Sequence, residues 1–209
     1  MKQLIIIGAG GYGREVCNMA PECHGYGKTF VIKGFLDDTE NPLGPYPGYP
    51  PVLARILDYV PQPEDVFVCA ISDIAGRKKC TELIASRGGE FMTLLHLSSA
   101  VQKNSIVGKG CIINACSWIS CDSIIGDHVH FQANCNVGHD ARIGAWSFLH
   151  YGTFIGGRAC LGEGVHVYPY AIIHPRRKIG DYATIGAGSF VLRDVQAQTT
   201  VYGNPAKTL

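Results

Sequence analysis

The chain has 209 residues, a net charge of +1 and 46% hydrophobic residues, enough to bury the cores of two small domains. So small a charge gives no reason to expect nucleic acid or an acidic membrane surface as a partner. The apolar stretch Leu4–Ile7 is too short for a signal peptide or a membrane span, so we expect a cytoplasmic protein. The nine cysteines are odd in number and form no C-x-x-C motif, which favours reduced thiols that serve in packing.

Residues 1–95 are predicted to alternate strands and helices around a short parallel sheet of three or four strands. This pattern is typical of half of a doubly wound α/β sheet, a half-Rossmann domain. A loop rich in proline and glycine interrupts it between residues 42 and 50. The predicted elements are strand Leu4–Ile7, helix Arg14–Ala20, strand Val31–Leu36, helix Val52–Tyr59, strand Asp65–Ile71, helix Asp73–Arg87 and strand Phe91–Leu95.

A glycine motif lies between the first strand and the first helix, where a tight turn lets the helix N-terminus hold a phosphate. Two carboxylates end the second strand, a place where acids commonly bind a ribose or base. The motif suits NAD as well as a sugar nucleotide, but so few strands argue against NAD, and a turn without a ligand is the other alternative. The predicted substrate-binding residues are Gly8, Gly10, Gly11, Tyr12, Gly13, Asp37, Asp38 and Ser72.

A strict period of six dominates residues 96–209, the second predicted domain. Every sixth residue from Val101 to Val191 is large and apolar, and a small residue follows four positions later, with Arg177 as the exception. Glycine recurs every eighteen residues from Gly108 to Gly180. Neither a helix nor a single strand sustains this period, whereas a parallel β-helix with three faces to a coil does. About five coils are expected, spaced about 4.8 Å apart.

His139 is the candidate catalytic group among the eight histidines. It comes two residues after the inward-facing Val137, at a predicted corner of the β-helix where its side chain points outward, and Asp140 shares the turn. A neutral imidazole is suited to accept a proton from an amine or hydroxyl at physiological pH. A solvated turn histidine is the alternative.

Three separated stretches together resemble the hexapeptide-repeat acyltransferases that acetylate amino sugars on nucleotides, the family of the sialic-acid and bacillosamine acetyltransferases. They are residues 8–14 with 34–38, residues 138–144, and residues 185–189 with 203–207. The resemblance implies a left-handed β-helix, a homotrimer with active sites between subunits, and acetyl-CoA as cosubstrate without a metal. It also implies that His139 is the general base and that Asp140, where relatives often have glutamate, orients the imidazole.

The same resemblance extends to residues that would contact the two substrates. Gly157 and Ala187 match positions whose backbone amides meet the pantetheine arm or thioester. Tyr12 and Phe148 stand where relatives often have histidine, so the sugar is expected to differ from familiar ones. The basic cluster at residues 176–178 is a further candidate for binding the CoA phosphates, through Arg176 and Lys178, and a solvated corner is its alternative.

The expected reaction is acetyl transfer from acetyl-CoA to the amine of a nucleotide-linked sugar, by direct attack. O-acetylation of a sugar such as sialic acid is one alternative. A non-catalytic trimeric scaffold that binds a sugar nucleotide is another. A metal-dependent hydratase would need three converging histidines; His130 and His166 share a repeat position but lie two coils apart, so this trio is not expected.

Overall fold

The computed structural model describes residues 1–209, which divide into two compact units, Met1–His96 and Leu97–Leu209. Both helices of the chain lie in the first unit, and neither combines the length and apolar character needed to cross a membrane. All nine cysteines are free thiols.

The first unit contains a parallel five-stranded sheet, in the order β3-β2-β1-β4-β5. The strand order reverses between β1 and β4, the point at which open α/β sheets form a ligand crevice beyond the carboxyl ends of their strands. The elements are β1 Lys2–Ile7, α1 Gly11–Met19 with a 3₁₀ turn Ala20–Glu22, β2 Phe30–Leu36, β3 Val52–Ala54, β4 Asp65–Cys69, α2 Ile74–Ser86 and β5 Glu90–Phe91.

Two of the predicted elements differ from this sheet. The prediction of a helix over Val52–Tyr59 is wrong, because Val52–Ala54 is an edge strand. The prolines before it disfavour a helix, and the carbonyl of Pro51 accepts a hydrogen bond from the N–H of Phe35 on β2. The sheet also has five strands rather than three or four, and it ends at Phe91. Leu94–Leu95 forms β6 outside it.

The second unit is a parallel β-solenoid of hexapeptide repeats, as the period predicts. Three sheets run along it, β7-β10-β13-β16-β19-β22, β8-β11-β14-β17-β20 and β9-β12-β15-β18-β21-β23, with β24 antiparallel to β23. The strands are β7 Ala100–Val101, β8 Ile106–Val107, β9 Ile112–Ile113, β10 Trp118–Ile119, β11 Ile124–Ile125, β12 His130–Phe131, β13 Asn136–Val137, β14 Arg142–Ile143, β15 Phe148–Leu149, β16 Phe154–Ile155, β17 Cys160–Leu161, β18 His166–Val167, β19 Ile172–Ile173, β20 Lys178–Ile179, β21 Thr184–Ile185, β22 Phe190–Val191, β23 Thr200–Tyr202 and β24 Lys207–Thr208.

The solenoid core is built from the periodic apolar residues. From Ile113 to Val191 each of them is at most 4% exposed, whereas Val101 and Val107 in the first coil are half-buried. The small residues between them also point inward, except for Arg177, which is half-buried and pairs with Asp194. Residues eighteen apart therefore occupy equivalent positions on neighbouring coils, and this stacking places the side chains of one corner in register.

Candidate active site

A cavity of about 400 Å³ lies at the carboxyl ends of β1, β2 and β4 in the first unit. Seven of the eight predicted substrate-binding residues line it, and Gly13 does not. Thr39, Ile56 and Cys80 also line this cavity, although the sequence reasoning did not include them. The lining residues among the predicted set are Gly8, Gly10, Gly11, Tyr12, Asp37, Asp38 and Ser72.

The three glycines of the motif serve different purposes. Gly8 has a φ of +97°, a conformation that side chains disfavour. A Cβ at Gly13 would overlap the carbonyl oxygen of Gly8, so this glycine permits the close packing of α1 against the end of β1. A Cβ at Gly10 would meet nothing within 4 Å. Gly10 is therefore the position where an added side chain fills the cavity rather than disturbing the fold.

Asp37 and Asp38 hold the walls of this cavity through backbone hydrogen bonds. The Asp37 carboxylate accepts from the N–H of Ala9 at 2.6 Å and from that of Thr39 at 2.8 Å. Asp38 accepts from the N–H of Ile56 at 2.8 Å. Asp37 thus connects the glycine loop to the end of β2, a structural role that was not predicted from the sequence. Its contact with a ribose stays a prediction.

A second cavity of about 420 Å³ shares Asp37 and Thr39 with the first one. The loop rich in proline and glycine forms its other side, including Tyr49, with Arg55 nearby. The sequence marked this segment only as a loop. The two neighbouring cavities provide room for a ligand larger than a phosphate group.

In the second unit, β13 ends at Val137 and the chain turns a corner through His139 and Asp140. The imidazole Nδ1 lies 2.6 Å from Asp140 Oδ2, and the two side chains are 56% and 45% exposed. The hydrogen bond to His139, helped by the nearby Arg158, lowers the pKa of Asp140. The carboxylate is therefore ionised near neutral pH, so it accepts a hydrogen bond from Nδ1–H and leaves Nε2 with a free lone pair.

Gly157 lies directly beside this imidazole on the next coil. A Cβ at Gly157 would come within 2.8 Å of His139 Nε2, so only glycine leaves room for the ring in its present position. The backbone N–H of Gly157 makes no hydrogen bond within the chain, while Gly156 donates to Ile173 and Arg158 donates to the carbonyl of His139. A proton acceptor and an unused backbone donor thus belong to residues that line the same space.

That space is a cavity of about 350 Å³ with a strongly basic lining, suited to phosphate groups. The sequence reasoning missed Arg158 and His174 here, although the eighteen-residue period that places Gly157 above His139 also places Arg158 above Asp140. Arg176 also lines the cavity, and its contact with the CoA phosphates stays a prediction. The lining residues are His139, Gly157, Arg158, His174, Pro175, Arg176 and Arg177.

Two predicted acetyl-CoA ligands are not brought to this cavity by a single chain. Lys178 lies on β20, where its backbone N–H donates to Asp194. Ala187 follows β21 at a different corner of the solenoid. The repeat period could not show that these two residues lie away from the His139 cavity. It predicts that the coils are in register but does not predict which corner binds a ligand.

The remaining solenoid histidines pack against aromatic rings instead of forming a ligand set. His150 stacks between Phe148 and Tyr168, with centroid distances of 4.3 and 4.9 Å. His130 and His166 both contact the edge of Phe148. No three histidine, cysteine, aspartate or glutamate side chains converge in a geometry that could hold a metal ion.

Two family models together match both units of the chain. Residues 3–84 match the PglD N-terminal domain, and residues 122–157 and 161–193 match the bacterial transferase hexapeptide of six repeats. The sequence is 29% identical to the GDP-perosamine N-acetyltransferase of Escherichia coli, over 98% of this chain and 95% of the relative.

Solved structures resemble the chain over its full length. The acetyltransferase domain of PglB from Neisseria gonorrhoeae, in complex with acetyl coenzyme A, has a TM-score of 0.79 and 26% identity and covers 100% of this chain and 99% of its own. PerB from Caulobacter crescentus, in complex with CoA and GDP-perosamine, has a TM-score of 0.61 and 26% identity, with coverage of 100% and 98%. The chain therefore joins a domain that matches the PglD N-terminal domain to a domain of bacterial transferase hexapeptide repeats, and over its full length it is similar to nucleotide-sugar N-acetyltransferases.

Proposed function

We propose that this protein transfers the acetyl group of acetyl-CoA to the amine of a sugar carried on a nucleoside diphosphate. One observation carries the proposal: His139 and Gly157, whose N–H makes no hydrogen bond within the chain, line one basic cavity in a chain similar to nucleotide-sugar N-acetyltransferases. The imidazole supplies a base, the amide supplies an oxyanion donor, and the arginines suit the phosphates of CoA. Together these are the groups that acyl transfer needs.

The proton follows a short route in this mechanism. A neutral amine presented at His139 attacks the thioester carbonyl carbon, and Nε2 takes the proton that the amine loses as the C–N bond forms. Nδ1 keeps its own proton and its hydrogen bond to Asp140, whose negative charge stabilises the imidazolium. When the C–S bond breaks, the imidazolium can return the proton to the CoA thiolate, so that the enzyme is regenerated without a covalent intermediate.

The backbone of Gly157 contributes electrostatic stabilisation. Negative charge develops on the thioester oxygen during the attack, and a donor that is already oriented stabilises it without reorganising. The neighbouring N–H groups of Gly156 and Arg158 are engaged in the solenoid, whereas the Gly157 N–H is available as a donor beside the imidazole. Arg176 and Arg177 also line the cavity, and their guanidinium groups suit the phosphates of CoA.

The glycine-loop cavity is the proposed site of the nucleotide portion of the acceptor. Its loop lies at the N-terminus of α1, and Asp37 and Ser72 stand at the neighbouring strand ends. An amine acceptor is supported over a hydroxyl because the relative from Escherichia coli and PerB are perosamine enzymes: the former is named an N-acetyltransferase and the latter was solved with GDP-perosamine.

We also propose that the protein assembles as a homotrimer through the sheet that contains β13. Trp118, Phe154 and Ile172 project from this sheet and are 41–47% exposed, which makes an apolar stripe beside the His139 corner. A second copy of the chain seated on the stripe would bury it and complete the walls of the catalytic cavity. Closed symmetric assemblies of this kind are the common state of soluble oligomers.

The experiment that tests the function measures CoA release from acetyl-CoA with a panel of nucleoside-diphosphate amino sugars. Turnover with at least one amine, and none with the matched sugar nucleotide that carries a hydroxyl in place of the amine, supports the N-acetyltransferase. Turnover of the hydroxyl compound alone indicates the O-acetyltransferase. A thermal-shift response to sugar nucleotides without any turnover across the panel indicates the scaffold.

A further inference from the structure

One corner of the solenoid carries a ladder of polar side chains along its axis. Its members follow one another every eighteen residues with φ between +58° and +63°, so their side chains leave the corner at equivalent positions. Such residues are spaced by about the distance between neighbouring strands, about 4.8 Å. The ladder consists of Asn104, Asp122, Asp140, Arg158 and Arg176.

The contacts along this ladder are pairwise. Asn104 Nδ2 donates to Asp122 Oδ1 at 2.9 Å, and Arg158 Nε donates to Asp140 Oδ2 at 3.4 Å. Asp140 therefore has a carboxylate on the coil before it and a guanidinium on the coil after it. The same oxygen, Oδ2, also accepts the hydrogen bond from His139 Nδ1.

We propose that Arg158 is a positioning residue of the acetyl transfer, which acts through Asp140 to hold the catalytic imidazole in one orientation and one tautomer. The inference rests on the proposed function of His139. Arg158 attracts the Oδ2 atom of Asp140 from the side opposite to Asp122 and keeps this carboxylate charged. Nδ1 of His139 therefore carries the proton, and Nε2 is free to accept a proton from the amine. The direction of the Asp140 pKa agrees, since Arg158 lowers it both as a hydrogen-bond donor and as a charge.

The surroundings of the pair favour a catalytic over a stabilising role. Asp140 and Arg158 side chains are 45% and 56% exposed, and exposed ion pairs contribute little to folding. Orientation of a general base, by contrast, is sensitive to small displacements. The backbone strengthens the link, because the N–H of Arg158 donates to the carbonyl of His139 at 2.8 Å. Arg158 thus contacts both members of the pair.

The test compares Arg158→Gln and Arg158→Lys with Arg142→Gln, a matched change of an exposed arginine on β14 outside the cavity. Arg158→Gln should lower kcat roughly tenfold, within the usual range of coupling between contacting residues. It should also move the acidic limb of the kcat/KM profile to higher pH, because losing the neighbouring cation favours protonation of Asp140. Arg158→Lys should restore part of kcat and most of the profile, and Arg142→Gln should match the wild type.

A double-mutant cycle separates positioning from binding. In an Asp140→Asn background, Arg158→Gln should have little further effect, since its route of action is gone. A wild-type kcat and pH profile for Arg158→Gln would overturn the inference. So would a raised KM for acetyl-CoA at unchanged kcat, which would make Arg158 a CoA ligand, or an undiminished effect in the Asp140→Asn background. If His139→Ala keeps full activity, the proposed function itself fails.

Discussion

The imidazole of His139 occupies the space that a side chain of residue 157 on the next coil would need, because a Cβ at Gly157 would approach Nε2 to 2.8 Å and Cδ2 to 3.1 Å. Any side chain at residue 157 must therefore displace the imidazole. Because the ring is half-exposed, it can rotate away at little cost to folding. Gly157 is a residue whose substitution should affect the chemistry and spare the fold.

Gly157→Ala should accordingly lower kcat about tenfold or more, since misplacing a base by about 1 Å can cost 10²-fold. The melting temperature should stay near that of the wild type. In a His139→Ala background the same change should have little effect on kcat, because the base that it displaces is absent. Steady-state kinetics of the four variants measure this, and an equal loss in both backgrounds would assign Gly157 a role independent of the imidazole.

His139→Ala should lower kcat by about 10²- to 10⁴-fold, the usual contribution of a general base, with little change in the Kd of either substrate. Asp140→Asn should cost less, because it keeps the size of the side chain and one acceptor while removing the charge that stabilises the imidazolium. Single-turnover rates and calorimetric binding separate these effects. Retention of more than about a third of wild-type kcat by His139→Ala would make this histidine a solvated turn residue.

Gly10→Val should abolish nucleotide-sugar binding while leaving the fold and acetyl-CoA affinity intact, because its Cβ points into open cavity space. Gly13→Ala is the contrasting change: it meets the carbonyl of Gly8 and should destabilise the protein by about 1–3 kcal/mol. Thermal-shift titrations with a sugar nucleotide, acetyl-CoA and NAD distinguish the outcomes. Tight NAD binding that Gly10→Val abolishes would instead identify a dinucleotide site.

The first unit should lose stability in acid through Asp65. Burial raises the pKa of this carboxyl, but hydrogen bonds from Lys33 at 2.7 Å and from Tyr59 at 2.7 Å outweigh burial, so that the pKa is lowered. A lowered pKa contributes stability above the unfolded value of about 3.9, and this stability is lost as the pH falls through the folded value. Urea unfolding between pH 7 and pH 3 measures the loss.

Asp65→Asn should remove this dependence and cost about 2–4 kcal/mol at pH 7, because Asp65 is buried and Lys33 would lose its partner. The matched control is Glu90→Gln, which breaks the exposed pair with Lys2 at 3.9 Å and should change stability by less than about 0.5 kcal/mol. Equal effects of the two variants would contradict the assignment.

The assembly should be a homotrimer by light scattering, and Trp118→Glu should yield monomers of much lower kcat. Burying a charge in place of an indole is costly, whereas Leu57→Glu, at a site 48% exposed in the first unit, should leave the trimer intact. A stable, fully active monomer of the wild-type protein would exclude an active site shared between subunits.

Several features of this protein could be predicted from its residues alone. The period of six predicts the solenoid because each apolar residue must face inward once per short strand, and the eighteen-residue repeat of glycine sets the coil length. The Gly8–Gly13 motif predicts the loop between β1 and α1, since only glycine allows its backbone to turn and to pack so closely. These are local requirements that the sequence states directly.

Other features depended on which backbone groups meet in three dimensions. Residues Val52–Ala54 form a strand instead of the predicted helix because, after two prolines, they pair with the edge of β2. The hydrogen bond from the N–H of Ala9 in the glycine loop to Asp37 joins residues 28 apart. No periodic pattern reports such pairings.

The catalytic corner shows the same division. The sequence singled out His139 and Asp140 and, through its period, implied that Gly157 and Arg158 lie one coil further. Only the tertiary structure decided that the Gly157 N–H is left without a hydrogen bond, that Arg158 reaches the same carboxylate oxygen as the imidazole, and that Lys178 lies outside the cavity. Register follows from repeat length, whereas the direction of each side chain and the occupancy of each donor follow from the packing of neighbouring coils.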